Sequence, residues 1–175
     1  MQLSHRIVLT GATVGFAGAL AAPAAAQTMD VTVTIPRLTV AEYHKPYVAM
    51  WIEGAGTAKT VAVWYDFDMR NGEGTKWLRD IRTWWRASGR GMRFPADGIS
   101  GATRAPGPQR VTLTAGSGAL GTLAPGQYTL VVEAAREVGG RELVRVPFAW
   151  PPRPGQVARA AGTAELGAVS IAFRR

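Results

Sequence analysis

Seven short runs rich in β-branched and aromatic residues, each closed by Gly, Pro or a polar turn, recur along most of the chain, and this rhythm constrains the fold more than any other feature. Val31, Val33 and Ile35 alternate with Thr32 and Thr34 ahead of Pro36. Residues 47–53 and 60–65 flank Gly54-Ala55-Gly56, and residues 128–134 and 143–148 flank Gly139-Gly140, a strong hairpin signal. Residues 111–114 and 166–173 complete the set, with the loop of residues 151–155 bridging the last two runs. Runs this short suit strands, and turns at this spacing predict an all-β, immunoglobulin-like β-sandwich. A length of 175 residues fits one domain with a real core.

One segment departs from period two. Between residues 73 and 88, Trp77, Ile81, Trp84 and Trp85 fall at i, i+4, i+7 and i+8, while Lys76, Arg79, Asp80, Arg82 and Arg86 lie mostly elsewhere. That spacing predicts one inserted amphipathic helix, with Gly89 as its stop. The segment holds three of the six Trp residues. Two readings stand for these indoles: they fill the seam between helix and sheet, or they line a site.

The N-terminus reads as a leader. His5 and Arg6 precede an Ala/Gly-rich apolar run, and Ala24-Ala25-Ala26 precedes polar Gln27. This is the pattern of a secretory signal peptide over residues 1–26, giving a mature periplasmic domain over residues 27–175. No second apolar run reaches spanning length, so the mature chain is not expected to cross a membrane. Most of the net charge of +8 stays with the mature chain, carried by scattered Arg residues rather than one basic block. Export and scatter argue against nucleic acid. Attraction to an acidic membrane surface, an acidic partner or a phosphate-bearing ligand all remain open.

Several chemistries are excluded or weakened. Without Cys there are no disulfides, thiolate-bound zinc, iron–sulfur clusters or covalent c-type haem. His44, the only His after the leader, reads as a surface or strand-edge residue rather than a metal ligand, and no nucleophilic triad is apparent. Glu133, Glu137 and Glu142 face Arg136, Arg141 and Arg145 across a hairpin and read as cross-strand ion pairs. There is no P-loop or dinucleotide fingerprint.

The chemistry-bearing stretch follows the predicted helix: Asp97-Gly98-Ile99-Ser100-Gly101-Ala102-Thr103-Arg104. Its pattern, Asp-x-x-Ser-Gly-Ala-Thr, resembles the acceptor motif of proteins that carry covalent FMN. In that family a bacterial ApbE-type flavin transferase moves FMN from FAD to the final Thr, forming a phosphodiester. The resemblance implies Thr103 as acceptor and residues 97–102 as the recognition stretch. Thr supplies the esterified hydroxyl, and Gly101 and Ala102 keep the loop slim enough to enter another protein's active site. Ser100 can bond a phosphate oxygen or cap the turn. Asp97 can organise the loop or meet a transferase-bound metal. Arg104, with Arg90 and Arg93 upstream, can neutralise the attached phosphate. A second hydroxyl-Gly-Ala-Thr run, residues 10–13, has Ile7 where the Asp belongs and lies in the leader.

A wider resemblance covers residues 41–53, 76–80, 97–107 and 131–142. These look like a periplasmic bacterial family catalogued only as a domain of unknown function. Its members are similar in carrying the flavin acceptor motif and tend to be grouped with PepSY-type transmembrane reductases and iron-uptake components. Residues 123–129 also resemble the hairpin of flagellar-hook-cap immunoglobulin-like modules. Together the resemblances imply an extracytoplasmic flavoprotein with FMN on Thr103, served by a flavin transferase and exchanging electrons with a membrane redox protein, linked to iron reduction or uptake. An electron carrier fits this pattern better than a self-sufficient enzyme. The rival reading is a cofactor-free immunoglobulin-like adaptor of an envelope complex.

Overall fold

A computed structural model describes residues 27–153 and 155–174, so the leader expected over residues 1–26 lies outside the described residues. Strands β1 (Thr28–Ile35), β2 (Tyr47–Gly54) and β3 (Thr57–Tyr65) come first. Then come a 3-10 segment (Arg70–Asp80), helix α1 (Arg82–Ala87) and a 3-10 turn (Gly89–Gly91). Strands β4 (Ser100–Ala102), β5 (Gly107–Thr114), β6 (Gly126–Ala135), β7 (Arg141–Trp150), β8 (Val157–Ala161) and β9 (Ala168–Arg174) follow. They form a four-stranded sheet in the order β5-β1-β9-β8 and a five-stranded sheet in the order β4-β3-β2-β6-β7. The chain is an all-β sandwich, and all seven expected strands are present.

Two strands escape the period-two pattern. β4 is three small or polar residues, Ser100-Gly101-Ala102, pairing in parallel with β3. β8, Val-Ala-Arg-Ala-Ala, is mostly residues of weak strand preference. The loop of residues 151–155 therefore leads into β8, and β8 into the last strand.

The centre of the five-stranded sheet, β3, β2 and β6, is buried on both faces. Val48, Met50 and Ile52 of β2 point into the sandwich with Leu130 and Val132 of β6, against Val31, Val33 and Ile171 of the other sheet. Their neighbours Tyr47, Ala49, Trp51 and Val131 face outward and are covered by Leu78, Ile81 and Trp84 of the insertion. The molecule thus has three layers, the third being the helical insertion.

That insertion is not one continuous amphipathic helix over residues 73–88. It is a 3-10 segment and a short α-helix meeting at Ile81, whose backbone (φ −78°, ψ 74°) leaves helical geometry. The buried stripe is Leu78, Ile81 and Trp84, aligned across the break at Ile81, where the two helical pieces meet. Trp77, one position off the stripe, is 49% exposed. Trp84 is sealed in, with its indole N–H donating to Thr60 Oγ1 (2.9 Å) and its ring edge-on to Trp85 and Phe94. Gly89 does follow the helix, but for packing: a Cβ there would stand 2.9 Å from the Trp84 ring.

The acidic residues of the β6–β7 hairpin are more dispersed than a cross-strand ladder. Only Glu133 pairs as expected, accepting from Arg141 Nη1 (2.6 Å) diagonally across the register. Glu133 is fully buried and also accepts the backbone N–H groups of Thr83 and Trp84 (3.1 and 2.8 Å), capping α1 from the sheet beneath it. Arg136 instead turns under the hairpin loop to Glu165, Arg145 reaches Glu53, and Glu137 lies beside His44. Glu142 accepts the backbone N–H groups of Thr163, Ala164 and Leu166, pinning the β8–β9 connection to β7.

Burial alone would raise the Glu142 carboxyl, but these hydrogen bonds outweigh it and hold it below the ordinary glutamate value. A carboxylate depressed in the folded state contributes stability above its unfolded value and loses it as pH falls through the folded value. Urea melts across the acid range are therefore expected to show a shallower stability loss for Glu142→Gln than for the parent, with lower stability for the variant at neutral pH.

Candidate functional site

The sequence-identified motif is built as a turn followed by an edge strand. Phe94 anchors its start, its ring edge-on to Tyr65 and Trp84 at 5.8 and 5.9 Å between centroids. The chain then turns through Gly98, whose φ of 68° suits glycine. Ser100 closes the turn twice: its N–H donates to Ala96 O (2.9 Å) and its Oγ accepts the Ala96 N–H (2.9 Å). From there residues 100–102 run parallel to residues 63–65 of β3. Val63 N–H donates to Ile99 O (2.8 Å) and Thr103 N–H to Tyr65 O (3.1 Å), so backbone bonds fix both ends of the acceptor segment.

Thr103 leaves this edge half-buried, with Oγ1 donating a long hydrogen bond (3.4 Å) to Asp66 Oδ1. Ser100 Oγ caps the turn. Asp97 is exposed, and among the described residues it accepts no hydrogen bond from the loop. Ala102 is exposed. A Cβ on Gly101 would meet the Trp64 ring at 3.4 Å, an ordinary contact, so the fold itself does not demand glycine there. Arg104 lies over Trp64, with Cζ 5.3 Å from the ring centroid. Arg90 and Arg93 are exposed on the preceding segment.

Thr103 also lies on the wall of a cavity of about 710 Å³, within the range of small-molecule sites. Four separated stretches build it: residues 43–47 leading into β2, residues 66–69 after β3, residues 77–82 of the insertion, and the β6–β7 turn. Among these, Trp77 alone belongs to the indoles whose spacing raised the reading that they line a site. The cations along the wall are Lys45, Arg82, Arg136 and Arg141, not Arg90 or Arg93. Trp77 contributes the exposed indole, whereas Trp84 and Trp85 do not reach the cavity. His44 lines it as well, held by Glu42 (2.8 Å) and near Glu137 (3.6 Å).

Two wall residues carry enclosed polar atoms without a hydrogen-bond partner, Tyr47 Oη and Arg136 Nη1. Burial, reinforced by the charge of nearby Asp66, pushes the Tyr47 hydroxyl up to about 12, so it remains a protonated donor at any physiological pH. Arg136 is kept charged by its hydrogen bonds to Glu165 Oε1 and Oε2 (3.0 and 2.9 Å), which outweigh the cost of burial. Enclosed donors without partners mark a place where an acceptor-bearing molecule gains binding energy. Among the described residues no group of three His, Asp or Glu has the geometry of a metal site, and no helix is long and apolar enough to cross a membrane.

A family model described as "Predicted periplasmic protein (DUF2271)" matches residues 28–168, which include every element from β1 through β8 and the acceptor segment. Neither a curated protein nor a solved structure matches the chain.

Proposed function

The chain belongs to the DUF2271 family of predicted periplasmic proteins, and from that premise we propose that it is a periplasmic electron carrier holding FMN through a phosphodiester to Thr103. The observation that carries the reading is the position of Thr103, at the open end of an edge strand and on the wall of a cavity of about 710 Å³. The residues fit the group. Trp77 offers an exposed aromatic face, Tyr47 and Arg136 offer enclosed donors, and Lys45 and Arg82 offset the Asp66 carboxylate beside an added phosphate. When bound, FMN supplies reversible electron acceptance.

Thr103 exchanges its hydroxyl proton for the FMN phosphoryl group of FAD, with AMP as the other product. Asp66 orients that hydroxyl beforehand. Ser100 holds the turn, and exposed Asp97 is left to meet the transferase or its metal. The bare backbone at Gly101, which the fold does not require, gives the transferase access. A tether has a physical logic outside the cytoplasm, since it keeps the effective concentration of a cofactor high where a free one would be diluted. A PepSY-type reductase or another membrane redox protein is the expected electron partner, with ferric iron a candidate acceptor.

Production with a flavin transferase in the periplasm tests this. A yellow protein whose fluorescence survives denaturing electrophoresis supports it; a colourless, unmodified product under those conditions favours the cofactor-free adaptor. The loaded protein also tests the cavity. Trp77 is expected to quench flavin emission by stacking, so Trp77→Leu should raise emission and lower its anisotropy, while Trp85→Leu should change neither. Unchanged emission in Trp77→Leu would place the ring elsewhere.

A further inference from the structure

Seven of the chain's 20 Lys and Arg residues fall between residues 70 and 93, against two acids, Glu73 and Asp80. All seven are exposed. Lys76 pairs with Glu73, but among the described residues the six arginines make no ion pair. Beside them stand side chains that a protein surface ordinarily hides: Trp77 is 49% exposed, Met69 44% and Phe67 42%. The arrangement has a structural origin. The insertion spends its apolar stripe, Leu78, Ile81 and Trp84, on the outer face of the five-stranded sheet. Its remaining sides point away from the sandwich and carry the arginines.

We propose that this layer binds peripherally to an anionic phospholipid surface, with the arginines on headgroup phosphates and Trp77, Met69 and Phe67 entering the headgroup–acyl boundary. Charge complementarity sets the sign of the surface. The apolar members select lipid over an acidic protein face. Exposed aromatic and Met side chains among cations match an interface that is anionic at the headgroups and apolar just below. A headgroup layer also accepts irregular spacing, as at residues 79, 82, 86, 90 and 93, because its phosphates are mobile and uniformly distributed, whereas fixed carboxylates must match position by position. The binding is that of the flavin-free protein, in which Trp77 has no ring to stack on; once flavin is attached, the arginines, Met69 and Phe67 carry it. It also brings the cavity, whose wall shares Trp77, Met69 and Arg82, close to the membrane surface.

Co-sedimentation of the exported protein, produced without a flavin transferase, with vesicles of phosphatidylglycerol and of phosphatidylcholine tests the proposal. Partitioning to phosphatidylglycerol should be at least about tenfold stronger and should fall steeply with added salt. The triple variant Arg79→Glu/Arg86→Glu/Arg90→Glu should lose this preference while melting like the parent. Trp77→Ser should weaken binding several-fold and leave the salt dependence unchanged. Equal binding to both vesicles, binding to neither, or undiminished binding by a charge-reversed protein that melts like the parent would overturn the proposal. Binding to neither would return the basic face to an acidic protein partner.

Discussion

Thr103→Ala is expected to abolish covalent flavin completely while leaving the fold intact. The hydroxyl that would be esterified makes a single long hydrogen bond, 3.4 Å to Asp66, so its removal costs about 1 kcal/mol or less. The segment is held instead by its backbone, including the Thr103 N–H to Tyr65 O bond, which alanine preserves. Denaturing gels should therefore show no flavin fluorescence in a variant that melts like the parent. Ser100→Ala should behave differently. It removes the acceptor for the Ala96 N–H and loosens the turn, so loading should slow without vanishing. Complete loss in both variants would mean that their roles are wrongly divided.

Glu165→Ala is expected to be the most destabilising single change near the cavity. Glu165 takes two hydrogen bonds from Arg136 and one from the Gly140 N–H, and both side chains of the pair are 6% exposed. Removing the carboxylate strands an enclosed guanidinium that already has one unpartnered nitrogen. Breaking a buried pair costs roughly 3–5 kcal/mol. A loss near 3 kcal/mol corresponds to a fall in Tm of roughly 6–12 °C. Replacing both partners, as in Arg136→Leu with Glu165→Leu, should recover much of that loss, because no charge is then left unpaired. A double variant no more stable than Glu165→Ala would show that the turn needs the hydrogen bonds themselves.

The Arg136–Glu165 pair also marks where residue patterns stop being informative. The β6–β7 hairpin was legible from Gly139-Gly140, yet neither glycine has a positive φ; the left-handed residue is Val138. The glycines serve close approach, since a Cβ on Gly139 would lie 2.4 Å from Arg136 and one on Gly140 2.8 Å from Glu165. The strands were legible because alternation is a local property. β4 was not, because three small residues carry no period and pair only through the neighbour that β3 provides. The insertion misled for a similar reason. Indoles at i, i+4, i+7 and i+8 resemble an α-helical face, but the sheet beneath selects the three-residue stripe of 78, 81 and 84 and leaves Trp77 outside. The acceptor motif was visible as one continuous string. The cavity beside it, assembled from four separated stretches, was not, although residues 41–53 and 131–142 had entered through family resemblance.

Intact-mass analysis of the exported protein produced with a flavin transferase, followed by tryptic mapping, tests the central claim most directly. Cleavage after Arg93 and Arg104 releases residues 94–104, whose only side-chain hydroxyls are Ser100 and Thr103. Covalent FMN on Thr103 predicts a mass gain of FMN less one water, confined to that peptide and to its Thr103 fragment ions. An unmodified intact mass, in cells where the same transferase loads another acceptor, would contradict it, as would FMN located on any other peptide.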